Sequence, residues 1–167
     1  MPRGEDRREG LTGKARARPL YTAEERRRRD GTVWTLVQGV LAPAQFLVFL
    51  VSLALVLRFL ATGEGYAAAT VSIVVKTGFL YGIMVTGAIW EKVVFGRWLF
   101  APAFFWEDVF SFLVIALHTA YLWALWSGAL APFDLMVLAL AAYAAYVINA
   151  GQFLWKLRMA RLQGGAA

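Results

Sequence analysis

Four apolar runs, near residues 34–60, 66–90, 104–126 and 132–157, constrain this chain more than any other feature of it. Each exceeds the roughly 20 residues needed to cross a hydrocarbon core about 30 Å thick. Lipid offers a backbone amide no hydrogen-bond partner, so a spanning segment must satisfy its own N–H and C=O groups. No barrel-like alternation is visible in the runs, which leaves helices. The breaks are "TGEG" after Ala61, "EKVVFGRWLFAPA" from Glu91 and "SGALAP" from Ser127, each with Gly or Pro as turns require. An all-α membrane protein with four transmembrane helices is expected. Composition agrees: 60% of the 167 residues are hydrophobic, 15% are aromatic, and the mean hydropathy is +0.57.

Charge then orients the spans. Residues 1–33 hold ten Lys or Arg against six acids, and they read as a basic cytoplasmic tail. Residues 1–19 lack apolar periodicity and are expected to be disordered. Within "YTAEERRRRD", Thr22 stands three residues before Glu25, a capping-box spacing that favours a short helix on the membrane surface. Lys92 and Arg97 in the middle loop and Lys156, Arg158 and Arg161 at the end fall on the same side as the tail, giving 15 basic residues against Arg58 alone on the other. The positive-inside rule therefore puts both termini and the middle loop in the cytoplasm. Residues 34–161 form the transmembrane domain and 162–167 a flexible C-terminus. The expected location is a bacterial inner membrane, cytoplasmic or intracytoplasmic, crossed several times. The first apolar run is too long for a signal-peptide core and reads as a retained anchor.

The sequence pI near 10.0 does not point to nucleic acid, because the basic residues outside the tail flank apolar spans and suit anionic lipid instead. With no cysteine and one histidine, the chain has no disulfide, thiolate-ligated metal or two-histidine haem site of its own. The seven tryptophans are expected to anchor at the two interfaces.

Polar side chains within the spans are few, and each asks for a partner. Gln38 and Gln45 share a face of the first helix, with Pro43 between them as an expected bend. Lys76 lies roughly 22 Å along its helix from Glu91, so it is deep, and must be paired, neutral or snorkelling. Glu107, Ser111 and His118 fall within about 40° on one stripe of the third span. Asp108 lies about 100° away from Glu107 and suits the helix start, where exposed N–H groups favour a carboxylate. His118 reads as a hydrogen-bonded interior residue, a proton-transfer group or an axial ligand to a magnesium tetrapyrrole. Asn149, Gln152 and Lys156 follow one stripe of the fourth span. Together with Glu91, Lys92, Arg97 and Glu107 they are expected to line a cytoplasm-facing vestibule. The middle loop is too apolar for a free linker and is expected to enter the interface as a short helix or re-entrant segment.

The blocks "WTLVQGVLAPAQFLVFLVSLALVLR", "TVSIVVKTG", "GAIWEKVVFGRWLFAPAFFWEDVFS", "LHTAYL" and "YVINAGQFLWKLR" closely resemble the 3-vinyl bacteriochlorophyllide hydratase family of photosynthetic bacteria, formerly called 2-vinyl. The resemblance covers roughly residues 20–161. It implies addition of water to the C3 vinyl group of a chlorophyllide or bacteriochlorophyllide, giving a 1-hydroxyethyl group during bacteriochlorophyll synthesis. It also implies that no cofactor is needed, and it brings no established catalytic residues with it.

The chain's own residues suggest an acid and a base. Burying a carboxyl group in an apolar site favours the protonated form that an acid needs. Glu107 is the first choice, Glu91 the carboxylate that takes a proton from the attacking water, and Asp108 the reserve for either role. His118 is expected to hold the substrate's magnesium or relay a proton. Arg97 and Lys92 are candidates for the substrate propionate, while Trp106, Gln152 and Asn149 complete the binding set. Expected partners are the magnesium tetrapyrrole, water, anionic lipid and other pigment-biosynthesis enzymes, with no nucleic acid. The rival reading is a pigment-binding or assembly protein that converts nothing.

Overall fold

A computed structural model of the chain describes residues 20–164 as five helices: α1 (Ala23–Gly31), α2 (Val33–Thr62), α3 (Tyr66–Phe95), α4 (Phe105–Ser127) and α5 (Pro132–Gly164). Residues 1–19, where disorder is expected, and 165–167 of the expected C-terminal tail lie outside the described residues. Helices α2 to α5 are each long and apolar enough to span a bilayer, and no strand occurs among the described residues. The all-helical, four-span architecture is therefore as expected.

Two of the helices outrun the expected limits. α3 continues through Glu91 to Phe95, and α5 runs to Gly164 and so takes in residues 162–164 of the supposed flexible end. A 30-residue helix such as α3 is about 45 Å long, some 15 Å more than the hydrocarbon core. The surplus lets its end stand in the interface. The middle connection is therefore shorter than "EKVVFGRWLFAPA" suggested: it is residues 96–104, an irregular segment rather than a helix. Gly96 opens it with φ +76° and donates its N–H to the Lys92 carbonyl at 3.0 Å. That left-handed conformation strains any residue with a Cβ and ends α3.

Antiparallel hairpins form from α2 with α3 and from α4 with α5, and α2 also touches α5. α1 is a capped helix in which the Thr22 hydroxyl accepts the Glu25 N–H at 3.2 Å and the Glu25 carboxylate accepts the Thr22 N–H at 2.7 Å. It is tied to its neighbours, since Arg28 donates to the Val94 carbonyl at 3.3 Å and Thr35 donates to the Arg29 carbonyl at 2.6 Å.

Apolar side chains fill two cores. The larger, along the middle of the bundle, includes Val56, Ile73, Val114, Tyr121 and Met136. The smaller, at the α1 end, packs Tyr21, Val94 and Phe104 with Trp90, Phe95 and Phe153 around them. In lipid such packing has no hydrophobic driving force behind it, so the helices are joined by van der Waals contact and by interhelical hydrogen bonds of about 0.6 kcal/mol each. Gln38 donates to Thr86 at 2.7 Å, Asn149 to Ser111 at 2.8 Å, and Ser52 bonds to both Tyr143 (2.5 Å) and Ser72 (2.7 Å). Gln45 is buried too, but its Oε1 has no partner among the described residues. α2 remains continuous through Pro43.

Lys76 does not snorkel. It is fully buried, with Nζ 2.7 Å from His118 Nε2 and 4.2 Å from the centre of the Tyr146 ring. His118 Nδ1 lies 2.7 Å from the Val114 carbonyl, so Nδ1 carries the hydrogen and Nε2 accepts from Lys76. This contact joins α3 to α4 in mid-bundle. His118→Leu is expected to lower the unfolding free energy in detergent by about 1–2 kcal/mol, and Lys76→Met together with it by less than the sum of the two single changes. A double-mutant cycle of unfolding free energies reads this coupling, and strict additivity refutes it.

Candidate active site

The first turn of α4 and the end of α3 bring three acidic side chains together at the α1 end of the bundle. Glu91, Glu107 and Asp108 are each no more than 5% exposed. Glu91 and Asp108 are brought to the same place by adjacent backbone amides, those of Ala101 and Phe100, and Glu107 precedes Asp108 in the first turn of α4.

Each member of the pair also holds the 96–104 connection. Asp108 Oδ2 accepts the Phe100 N–H at 2.7 Å, and Glu91 Oε2 accepts the Ala101 N–H at 3.2 Å. α5 supplies the third grip. Lys156 donates to the Ala103 carbonyl and to Glu107 Oε2, the latter at 2.6 Å, with Nζ 5.2 Å from the Phe104 ring centre. Phe100 sits at φ +57°, a left-handed conformation costing a non-glycine residue about 1–2 kcal/mol. Two contacts oppose that strain: the hydrogen bond to Asp108, and stacking on Phe112 with centroids 5.5 Å apart and planes at 13°.

Beside this cluster lies a cavity of about 480 Å³, walled by Glu107, Gln152, Trp155, Lys156, Met159 and the pre-helix residue Leu20 among others. Its size falls in the range of small-molecule sites. The lining is mainly apolar side chains with a polar wall on the α4–α5 side. Gln152 Oε1 is buried there without a partner among the described residues.

The structure gathers some of the expected residues and separates others. Glu91, Asp108, Glu107 and Gln152 meet as one region. Asp108, expected to suit the start of its own helix, instead holds the Phe100 amide, and no side chain caps α4 at Phe104. Lys92 and Arg97 are exposed and do not line the cavity: Lys92 reaches back to the Gly96 carbonyl at 3.0 Å and lies 5.9 Å from the Trp98 ring. Trp106, 65% exposed, packs edge-on against Phe105. Asn149 is engaged with Ser111. His118 is about 16 Å along α4 from Glu107, and both its ring nitrogens are engaged, so an axial bond to magnesium requires Lys76 to give up its acceptor. Sequence reasoning missed the direct partnership of Lys156 with Glu107. The stripe Asn149, Gln152, Lys156 was its only trace.

Comparison with known proteins bears on what this arrangement serves. The model of the family described as 2-vinyl bacteriochlorophyllide hydratase matches residues 21–159. The chain belongs to that family. It is 76% identical over 151 residues to the 2-vinyl bacteriochlorophyllide hydratase of Cereibacter sphaeroides, covering 90% of this chain and 93% of the relative. It is 74% identical over 148 residues to the protein of the same name from Rhodobacter capsulatus, covering 88% and 85%. No solved structure matches. The matched stretch begins at Tyr21, which packs into the smaller core, and it takes in every residue of the carboxyl cluster.

The grips on the connection are open to direct measurement. Asp108→Ala removes the acceptor for the Phe100 amide, and hydrogen exchange at Phe100 is expected to accelerate by about tenfold or more. Unchanged protection of that amide shows that something other than Asp108 holds it.

Proposed function

We propose that this chain hydrates the C3 vinyl group of a chlorophyllide-type macrocycle, yielding a 3-(1-hydroxyethyl) group in bacteriochlorophyll synthesis. Family membership supports the reaction class. The observation that carries the mechanism is a cluster of three buried acidic side chains, one of which stands on the wall of a cavity.

Glu107 is the acidic residue lining the cavity, so it is the group that faces the vinyl carbon. Glu91 and Asp108 serve as the proton store behind it. A proton passes from the store through Glu107 to the terminal CH₂, which becomes CH₃, and the positive charge at the inner carbon spreads into the conjugated ring. Water then forms the C–O bond, and its surplus proton returns through Glu107 to the Glu91–Asp108 pair. The sum is one alkene and one water giving one alcohol, with the carboxyl groups restored. Gln152, on the same wall as Glu107, is suited to orient the attacking water. The Trp155 ring on the cavity wall offers a face on which the macrocycle can stack.

Magnesium enters this scheme as part of the substrate. His118 is assigned to the mid-bundle contact with Lys76 rather than to proton transfer. The α1 end is assigned to the cytoplasmic face of a bacterial inner membrane, on the strength of the basic residues gathered there.

Glu107→Gln removes the group that touches the substrate. Membranes containing the inserted variant are expected to hydrate a 3-vinyl chlorophyllide at least about a hundredfold more slowly than wild type, read as loss of the product heavier by one water. Near-normal rates rule Glu107 out of proton delivery. Absence of that product from wild-type membranes favours a pigment-holding protein that converts nothing.

A further inference from the structure

The Glu107–Lys156 pair poses a difficulty for the mechanism. Lys156 occupies Glu107 Oε2 at 2.6 Å, one of the two oxygens that can carry a proton in transit. Both side chains line the same cavity, yet they differ in their freedom: the Lys156 side chain retains 24% of its exposure against 7% for Glu107. Lys156 is the cation on the cavity wall. Lys92 and Arg97, the cations expected to take the carboxylate, are exposed and stand outside it.

A ligand named as a chlorophyllide bears, by its chemistry, a free carboxylate on an otherwise apolar plate. We propose that Lys156 is the docking group for this carboxylate, and that pairing with it draws the ammonium off Glu107 and frees Oε2 for proton transfer. The inference rests on the hydratase reading and deepens it, naming the feature of the substrate that the site reads. Glu107 gives up its cation in the swap, and the proton handed on from Glu91 and Asp108 takes the place of the ammonium charge beside it. The Ala103 carbonyl, which Lys156 already touches, retains the ammonium near the wall as it turns. Recognition and activation then become the same movement. A macrocycle without the free acid leaves Glu107 covered and is both held weakly and turned over slowly.

The exchange separates binding from turnover in a way that a merely structural lysine does not. The experiment uses the full chain in phosphatidylcholine vesicles, comparing a 3-vinyl chlorophyllide with its methyl ester. Wild type is expected to favour the acid by at least about tenfold in kcat/KM, with the ester impaired in kcat as well as KM. Lys156→Met is expected to lose the preference, treating acid and ester alike, while Lys156→Arg keeps it. Equal handling of acid and ester by wild type overturns the proposal without calling on any variant. A full acid preference persisting in Lys156→Met overturns it as well. Hydration of the acid by wild type, needed for every arm, tests the hydratase reading separately, so the two ideas fail on different observations.

Discussion

A polar group placed in lipid has to find its partner within the protein, and that requirement organises the whole molecule. The spans make few polar contacts between helices, and the strongest of them sit where the chain most needs rigidity. In mid-bundle a fully buried lysine is answered by the single histidine. At the α1 end the answer is more elaborate: two carboxyl groups hold backbone amides of the 96–104 connection, and a third pairs with an ammonium. No element contributes this region alone. α3 supplies Glu91, α4 supplies Glu107 and Asp108, and α5 supplies Lys156, so the site exists only once the two hairpins have come together.

The architecture could be read from the sequence because hydrophobic length is a one-dimensional property. Four apolar runs with Gly or Pro between them leave little freedom, and the capping box at Thr22 and Glu25 formed where its spacing put it. The stripe Glu107, Ser111, His118 is indeed buried along its length. Depth was legible as well, since distances along a helix follow from residue number alone. Lys76 and His118, placed at comparable depth by counting, are in contact.

Contacts between helices were less legible, because helical periodicity fixes which side chains share a face but not which face meets which neighbour. Glu91 and Asp108 are 17 residues apart and on different helices, and only the reversal of the chain through 96–104 brings them together. Asp108 looked suited to its own helix start because the local rule is sound, but a tertiary donor, the Phe100 amide, holds it instead. Lys92 and Arg97 illustrate the converse. Basic residues beside an acidic cluster in sequence are not thereby beside it in space: Lys92 turns back to a carbonyl of its own helix end. The irregular form of the connection was hidden too, since its apolar composition disguises a segment shaped by hydrogen bonds from three helices.

The length of α3 carries one more implication. Its 30 residues exceed the thickness of the hydrocarbon slab, so the elevation of Glu91 and the carboxyl cluster is a property of protein and bilayer jointly. A thicker membrane draws those carboxyl groups toward oil, and a thinner one lifts them toward water. The lipid around the bundle thus acts as a dial on how wet the chemistry is, turned by acyl-chain length without any alteration to the polypeptide.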